Sequence, residues 1–133
     1  MRVFLDTNIV VSALAARGLC TDLFQALIAA HTVVVSETVL DELQGVLSTK
    51  FRFPQGLVDD ALAYLHDACE VAPGVRGLPF AGLDAADRAV LAGAIAAKVD
   101  AFVTGDQAIL ALCEAEGVPL LSPRGLWERL REE

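Results

Sequence analysis

The feature that most constrains this chain is a rhythm: apolar runs of strand length alternate with longer stretches of helical periodicity. The runs are Val3–Leu5, Thr32–Val35, Ala101–Val103 and Pro119–Leu121, with a shorter one at Glu70–Ala72. Strands that are apolar throughout must be covered on both faces, and parallel neighbours need a crossover between them. The pattern therefore predicts an α/β fold with a parallel, doubly covered sheet, in one domain over residues 1–133. Asn8 is placed to cap a helix through Val11 and Leu14 that Gly18 ends, and Thr21 or Asp22 to start the next. Ser36 caps a helix from Val39 to Leu47, and Leu57–Ala68 forms another after the break at Phe51–Gly56. Asp84 opens a helix to about Lys98, and a further helix follows Asp106 through Leu112. Ser122 and Pro123 suit the N-cap and first turn of a last helix. The Pro- and Gly-rich stretch 73–82 reads as a loop within the domain.

Composition narrows the function classes. The chain is 55% hydrophobic and 21% charged, which is globular rather than disordered. Its mean hydropathy of +0.53 is high for a soluble domain and is consistent with an apolar subunit interface. No apolar run reaches the roughly 18 residues of a membrane span, and Asp6 interrupts the N-terminal segment too early for a signal peptide. A cytoplasmic location and no membrane partner are the expectation. The net charge of −8 opposes non-specific binding to nucleic acid, which relies on Lys and Arg facing phosphates. Cys20, Cys69 and Cys113 form no CxxC pair, and buried thiols in a reducing compartment are expected. His31 and His66 are isolated and lack metal-ligand spacing.

Chemistry is concentrated in four carboxylates: Asp6, Glu42, Asp87 and Asp106. Asp6 and Asp106 each follow an apolar run, and function in open α/β sheets gathers beyond the carboxyl ends of strands. Each of the two can equally be a helix cap. Glu42 lies on the rim of the apolar face of its helix, where a solvated glutamate is also ordinary. Asp87, Val90, Leu91 and Ala94 follow i, i+3, i+4, i+7 spacing, which puts an acid within an apolar stripe. Such a charge is costly unless it is paired or bound to metal, although Asp87 also gains from the helix N-terminus that Asp84 caps. Converging carboxylates repel unless protons or cations intervene, and hard oxygen donors suit Mg²⁺ or Mn²⁺. Metal-assisted hydrolysis is the first chemistry this points to. The chain carries neither a dinucleotide-binding nor a P-loop glycine motif, and no nucleophile elbow. A receiver-like or phosphatase-like domain would need a lysine where Thr104 stands.

Three blocks in order resemble one known family. They are Val3-Phe4-Leu5-Asp6-Thr7-Asn8 with Val11-Ser12-Ala13-Leu14, then Ser36 to Leu43, then Asp84 to Ala92 followed by Asp100 to Asp106. Together they resemble the PIN domain, in particular VapC-like toxin components of bacterial type II toxin–antitoxin systems. The resemblance implies a three-layer α/β/α sandwich with a central parallel sheet. It implies that Asp6, Glu42, Asp87 and Asp106 hold one or two Mg²⁺ or Mn²⁺ ions. Thr104 matches a hydroxyl residue near that site, Asn8 a polar neighbour of the first acid, and Asp84 has a supporting, capping role. The implied activity is endonucleolytic cleavage of RNA, with an antitoxin protein as partner and a homodimer as the common assembly. The alternative from the residues is a catalytically weak PIN-like module that binds a protein partner.

Overall fold

The computed structural model describes residues 1–75 and 82–132. Strand β1 (Arg2–Leu5) leads into helices α1 (Thr7–Ala15) and α2 (Leu19–Ala30), then β2 (Thr32–Ser36) and α3 (Glu37–Gly45). A π-helical turn (Val46–Lys50) prolongs α3 before α4 (Gln55–Ala68) and β3 (Glu70–Ala72). Helix α5 (Ala85–Ala96), β4 (Ala101–Val103), α6 (Gln107–Leu110), the hairpin β5 (Glu114–Ala115) and β6 (Val118–Leu121), and α7 (Pro123–Arg131) complete the chain. The middle of the loop expected at 73–82, residues 76–81, lies outside the described residues.

The sheet order is β3-β2-β1-β4-β6-β5, parallel except for the β5–β6 edge. Helices flank this mostly parallel sheet and make the three-layer α/β/α sandwich. From β1 the chain steps outward to β2 and β3, then returns to β4 on the other side of β1. The strand order therefore reverses between β1 and β4. Such a switch point opens a crevice beyond the carboxyl ends of the two strands.

Burial follows the apolar runs. Val3, Phe4, Leu5, Phe102 and Val103 are fully buried. Phe4 and Phe102 are register partners whose rings stack at 5.3 Å and 8° across the switch point. No single helix among the described residues is long and apolar enough to cross a membrane. Helices α1 and α2 together have the composition but bend by 101° at their junction, and each buries one face in the core.

Several boundaries differ from the sequence reading, each for a local reason. Asp6, not Asn8, caps α1, because its carboxylate accepts from Thr7 N directly after the strand. Gly18, at φ 147°, starts α2 rather than ending α1, so α2 begins at Leu19, before Thr21. Helix α4 starts at Gln55, since Pro54 fits the position ahead of a first turn. Helix α6 stops at Leu110, because the chain turns at once into a hairpin. Glu116 and Gly117, at φ 50° and 83°, form the two-residue turn of that hairpin, with Ala115 opposite Val118. Of the cysteines only Cys69 is buried; Cys113 is exposed.

Replacing Phe102 with Ala removes half of the stacked pair at the centre of the sheet. Chemical denaturation should register a loss of about 3–5 kcal/mol. A loss under about 1 kcal/mol would show that the β1–β4 seam does not depend on this pair.

Candidate active site

Asp6 is the first residue past β1, and its backbone N–H still belongs to the sheet, donating to Val103 O at 2.9 Å. Its side chain is buried at 5% exposure. Oδ1 accepts from Thr7 N at 2.8 Å, and Oδ2 accepts from the Thr104 hydroxyl at 2.7 Å. Thr104 follows β4 and is fully buried; its Oγ1 also accepts from Asp106 N at 3.0 Å. One hydroxyl thus ties the first acid to the backbone of the last. Asn8 spans the same gap, accepting from Gly105 N at 3.1 Å and directing its amide toward Asp6 Oδ2 at 3.4 Å.

The other acids arrive on helices. Glu42, on α3, is half-buried, and its Oε2 accepts from the Thr7 hydroxyl at 2.9 Å. Sequence reasoning did not single out Thr7; the available signal was a hydroxyl directly after the strand-end acid. Asp87 stands in the first turn of α5, where its N–H donates to Asp84 Oδ1 at 2.8 Å. It is half-buried rather than enclosed in the stripe, because it lies in the first turn of α5 while Val90, Leu91 and Ala94 carry the buried face. Asp84 is the helix cap and is exposed. Asp106 caps α6, with Oδ1 accepting from Ala108 N and Ile109 N.

Asp6, Thr7, Asn8, Glu42 and Asp87 line one open depression of about 450 Å³. Asp106 stands beside it, close enough to act electrostatically on both Asp6 and Asp87. Burial pushes the Asp6 carboxyl above the ordinary range, as do Glu42 and Asp106, against the bonds from Thr104 and Thr7. Asp87 is pushed up to about 6, first by desolvation, then by Asp84, Asp106 and Asp6. The one ion pair among the described residues is Arg2–Glu70, so none of the described Lys or Arg residues pairs with any of the four acids.

Hard oxygen donors with unbalanced charge are the donor chemistry of Mg²⁺ or Mn²⁺. Among the described residues no three acids are gathered tightly enough to grip one ion. Mg²⁺ asks for less, since it keeps several waters and binds through one or two carboxylates. The residues fit such an ion by chemistry and charge.

The model of the PIN domain matches residues 2–108. The chain belongs to the PIN-domain family. Solved structures agree on the fold. VapBC2 from Rickettsia felis, solved bound to a DNA fragment from the promoter, matches with a TM-score of 0.67 and 18% identity, over 92% of this chain and 98% of that one. PAE2754 from Pyrobaculum aerophilum matches with a TM-score of 0.66 and 16% identity, over 100% and 91%. The PIN domain endonuclease Utp24 matches with a TM-score of 0.54 and 20% identity, over 91% and 84%. A search of curated proteins by sequence returns no significant match. In this PIN domain Asp6, Glu42 and Asp87 line the depression at the crevice that the strand order creates, and Asp106 stands beside it.

Two measurements test this arrangement. Replacing Thr104 with Val removes the donor to Asp6 and the acceptor for Asp106 N in a fully buried place. The expected loss by urea denaturation is about 1–3 kcal/mol, with Thr104→Ser close to wild type; an unchanged Thr104→Val protein would refute the tie. The second concerns pH. An acid whose folded pKa is raised binds more protons folded than unfolded, so stability falls as pH rises between the two values. In metal-free buffer, stability should fall between about pH 4, the ordinary range for Asp, and about 6. Asp87→Asn should flatten that slope; a slope equal in both proteins would show that Asp87 does not cause it.

Proposed function

We propose that this chain is a Mg²⁺- or Mn²⁺-dependent endoribonuclease and the toxin of a toxin–antitoxin pair. The observation that carries the reading is that Asp6, Glu42 and Asp87 line one depression at the β1–β4 crevice with Asp106 beside it, and that none of the described Lys or Arg residues pairs with them. Family membership adds weight, since PIN domains are generally nucleases.

In this reading the four acids hold the ion or ions. Bound there, Mg²⁺ or Mn²⁺ supplies charge neutralisation at the scissile phosphate and a lowered pKa for the attacking water. The protein's own groups do the positioning. Thr7 N and the Thr104 hydroxyl occupy both oxygens of Asp6 and fix its rotamer. The Thr7 hydroxyl aims Glu42 at the same depression. Asp106 uses Oδ1 as a cap, which leaves Oδ2 for the site. A carboxylate of the quartet left without an ion would take the proton from the water.

An antitoxin partner, a homodimer and a cytoplasmic location belong to the same reading. Support for the antitoxin comes from the match to the Rickettsia felis VapBC2 structure over almost the full length of both chains. Exposed Leu57 and Tyr64, two turns apart on α4, favour a second reading, a catalytically weak module that binds a protein partner. That reading requires partner binding without metal-dependent turnover.

The test is cleavage of a mixed-sequence RNA with Mn²⁺ by wild type and by Asp6→Asn with Asp106→Asn. The double variant should be slower by on the order of a hundredfold or more. Equal cleavage by the two proteins would defeat the proposal.

A further inference from the structure

The depression lined by Asp6, Glu42 and Asp87 also carries side chains of different chemistry. Lys50 and Phe51 line it, at the end of the π-helical turn that prolongs α3. Lys50 is the one cation among the described residues that line it. Phe51 is one of few large apolar side chains left exposed, at 40%.

The backbone here is built to present that ring. Phe51 N donates to Val46 O at 3.1 Å, a wide π-type closure, and Phe53 N donates to Leu47 O at 2.9 Å. Between the two, Arg52 takes φ 54°, a left-handed conformation that costs a non-glycine residue about 1–2 kcal/mol. The reversal lets Phe53 pack on the core while Phe51 stays at the depression. The two rings meet at 5.9 Å and 47°, so Phe53 supports Phe51 from one side. Single-turn π-helical segments are frequent at functional sites. A fixed aromatic face beside an ammonium group suits one ligand class well: a base stacks on the ring while its phosphate meets the cation.

Resting on the nuclease reading above, we infer that Lys50 and Phe51 form a nucleotide subsite flanking the acids. Phe51 stacks an unpaired base and Lys50 holds an adjacent phosphate. The subsite makes the site prefer single-stranded over duplex nucleic acid, because a paired base offers no free face. It also gives the polyanion a positive contact next to acids that would otherwise repel it.

The experiment compares wild type, Lys50→Ala, Lys50→Arg, Phe51→Ala and Phe51→Tyr, using the full chain with Mn²⁺ and a short labelled single-stranded RNA or its duplex. Each alanine variant should raise KM for the single strand about tenfold with kcat within about twofold. Lys50→Arg and Phe51→Tyr should stay near wild type, which a collapsed turn would not allow. Lys50→Ala should also lower the salt slope of binding by about 1. Unchanged KM in both alanine variants, or equal preference for duplex, would overturn the subsite. Fluorescence anisotropy with the same RNA separates the two proposals. If wild type binds but does not cut, weaker binding by Phe51→Ala upholds the subsite while the nuclease reading falls. Equal binding by the two proteins removes the subsite whatever the cleavage result.

Discussion

The in-register pairing of β1 with β4 is the constraint on which the site depends. Phe4 opposite Phe102 and Leu5 opposite Val103 leave Asp6 level with Thr104, where the 2.7 Å hydrogen bond forms. A slip of one residue would turn every side chain of a strand to the other face. The stacked phenylalanines and fully buried neighbours make that slip costly. Packing energy in the sheet thus holds a nearly buried carboxylate in a place it would not choose, since burial and like charges both oppose its ionisation.

Helix N-termini make the crowding tolerable. Asp6 caps α1, Asp84 caps α5 and Asp106 caps α6, so three helices begin around the crevice. Each presents unpaired N–H groups and the positive end of its dipole to the acids. Capping and function are therefore not rival accounts of these residues. The bonds that start the helices also fix carboxylate orientation, and Asp106, which caps through Oδ1, keeps Oδ2 for a ligand.

Much of the fold was legible because the strands are apolar throughout and stop abruptly. The runs ending at Leu5 and Val103 match the strands, and Ser36 and Ser122 cap the helices expected of them. Strand β5 and its turn were not legible, whereas β6 is the run expected at Pro119–Leu121. Strand β5 has only two residues, and a Glu-Gly turn at positive φ leaves no periodic signal. Gly18 misled for a related reason: glycine suits both a helix end and a helix start, and only the chain around it decides. At the site, the positions of the acids were readable from strand ends and helix faces. The ties between them were not, because Thr7 to Glu42 and Thr104 to Asp6 span 35 and 98 residues. The π-helical turn was likewise hidden, since Val46 to Lys50 carries an ordinary helical composition.

A net charge of −8 is a weak argument against a polyanionic substrate. Charges on the far surface are screened beyond about 8–10 Å at ordinary ionic strength. What a phosphate meets at contact is set by the groups within that radius. Here those groups are the acids and, lining the same depression, Lys50 beside an exposed ring. The acids are repulsive only while bare; with ions bound, the same oxygens anchor the positive charge a phosphate needs. In the proposed reading, ions would supply most of the local positive charge, and Lys50 with Phe51 would set where the strand lies.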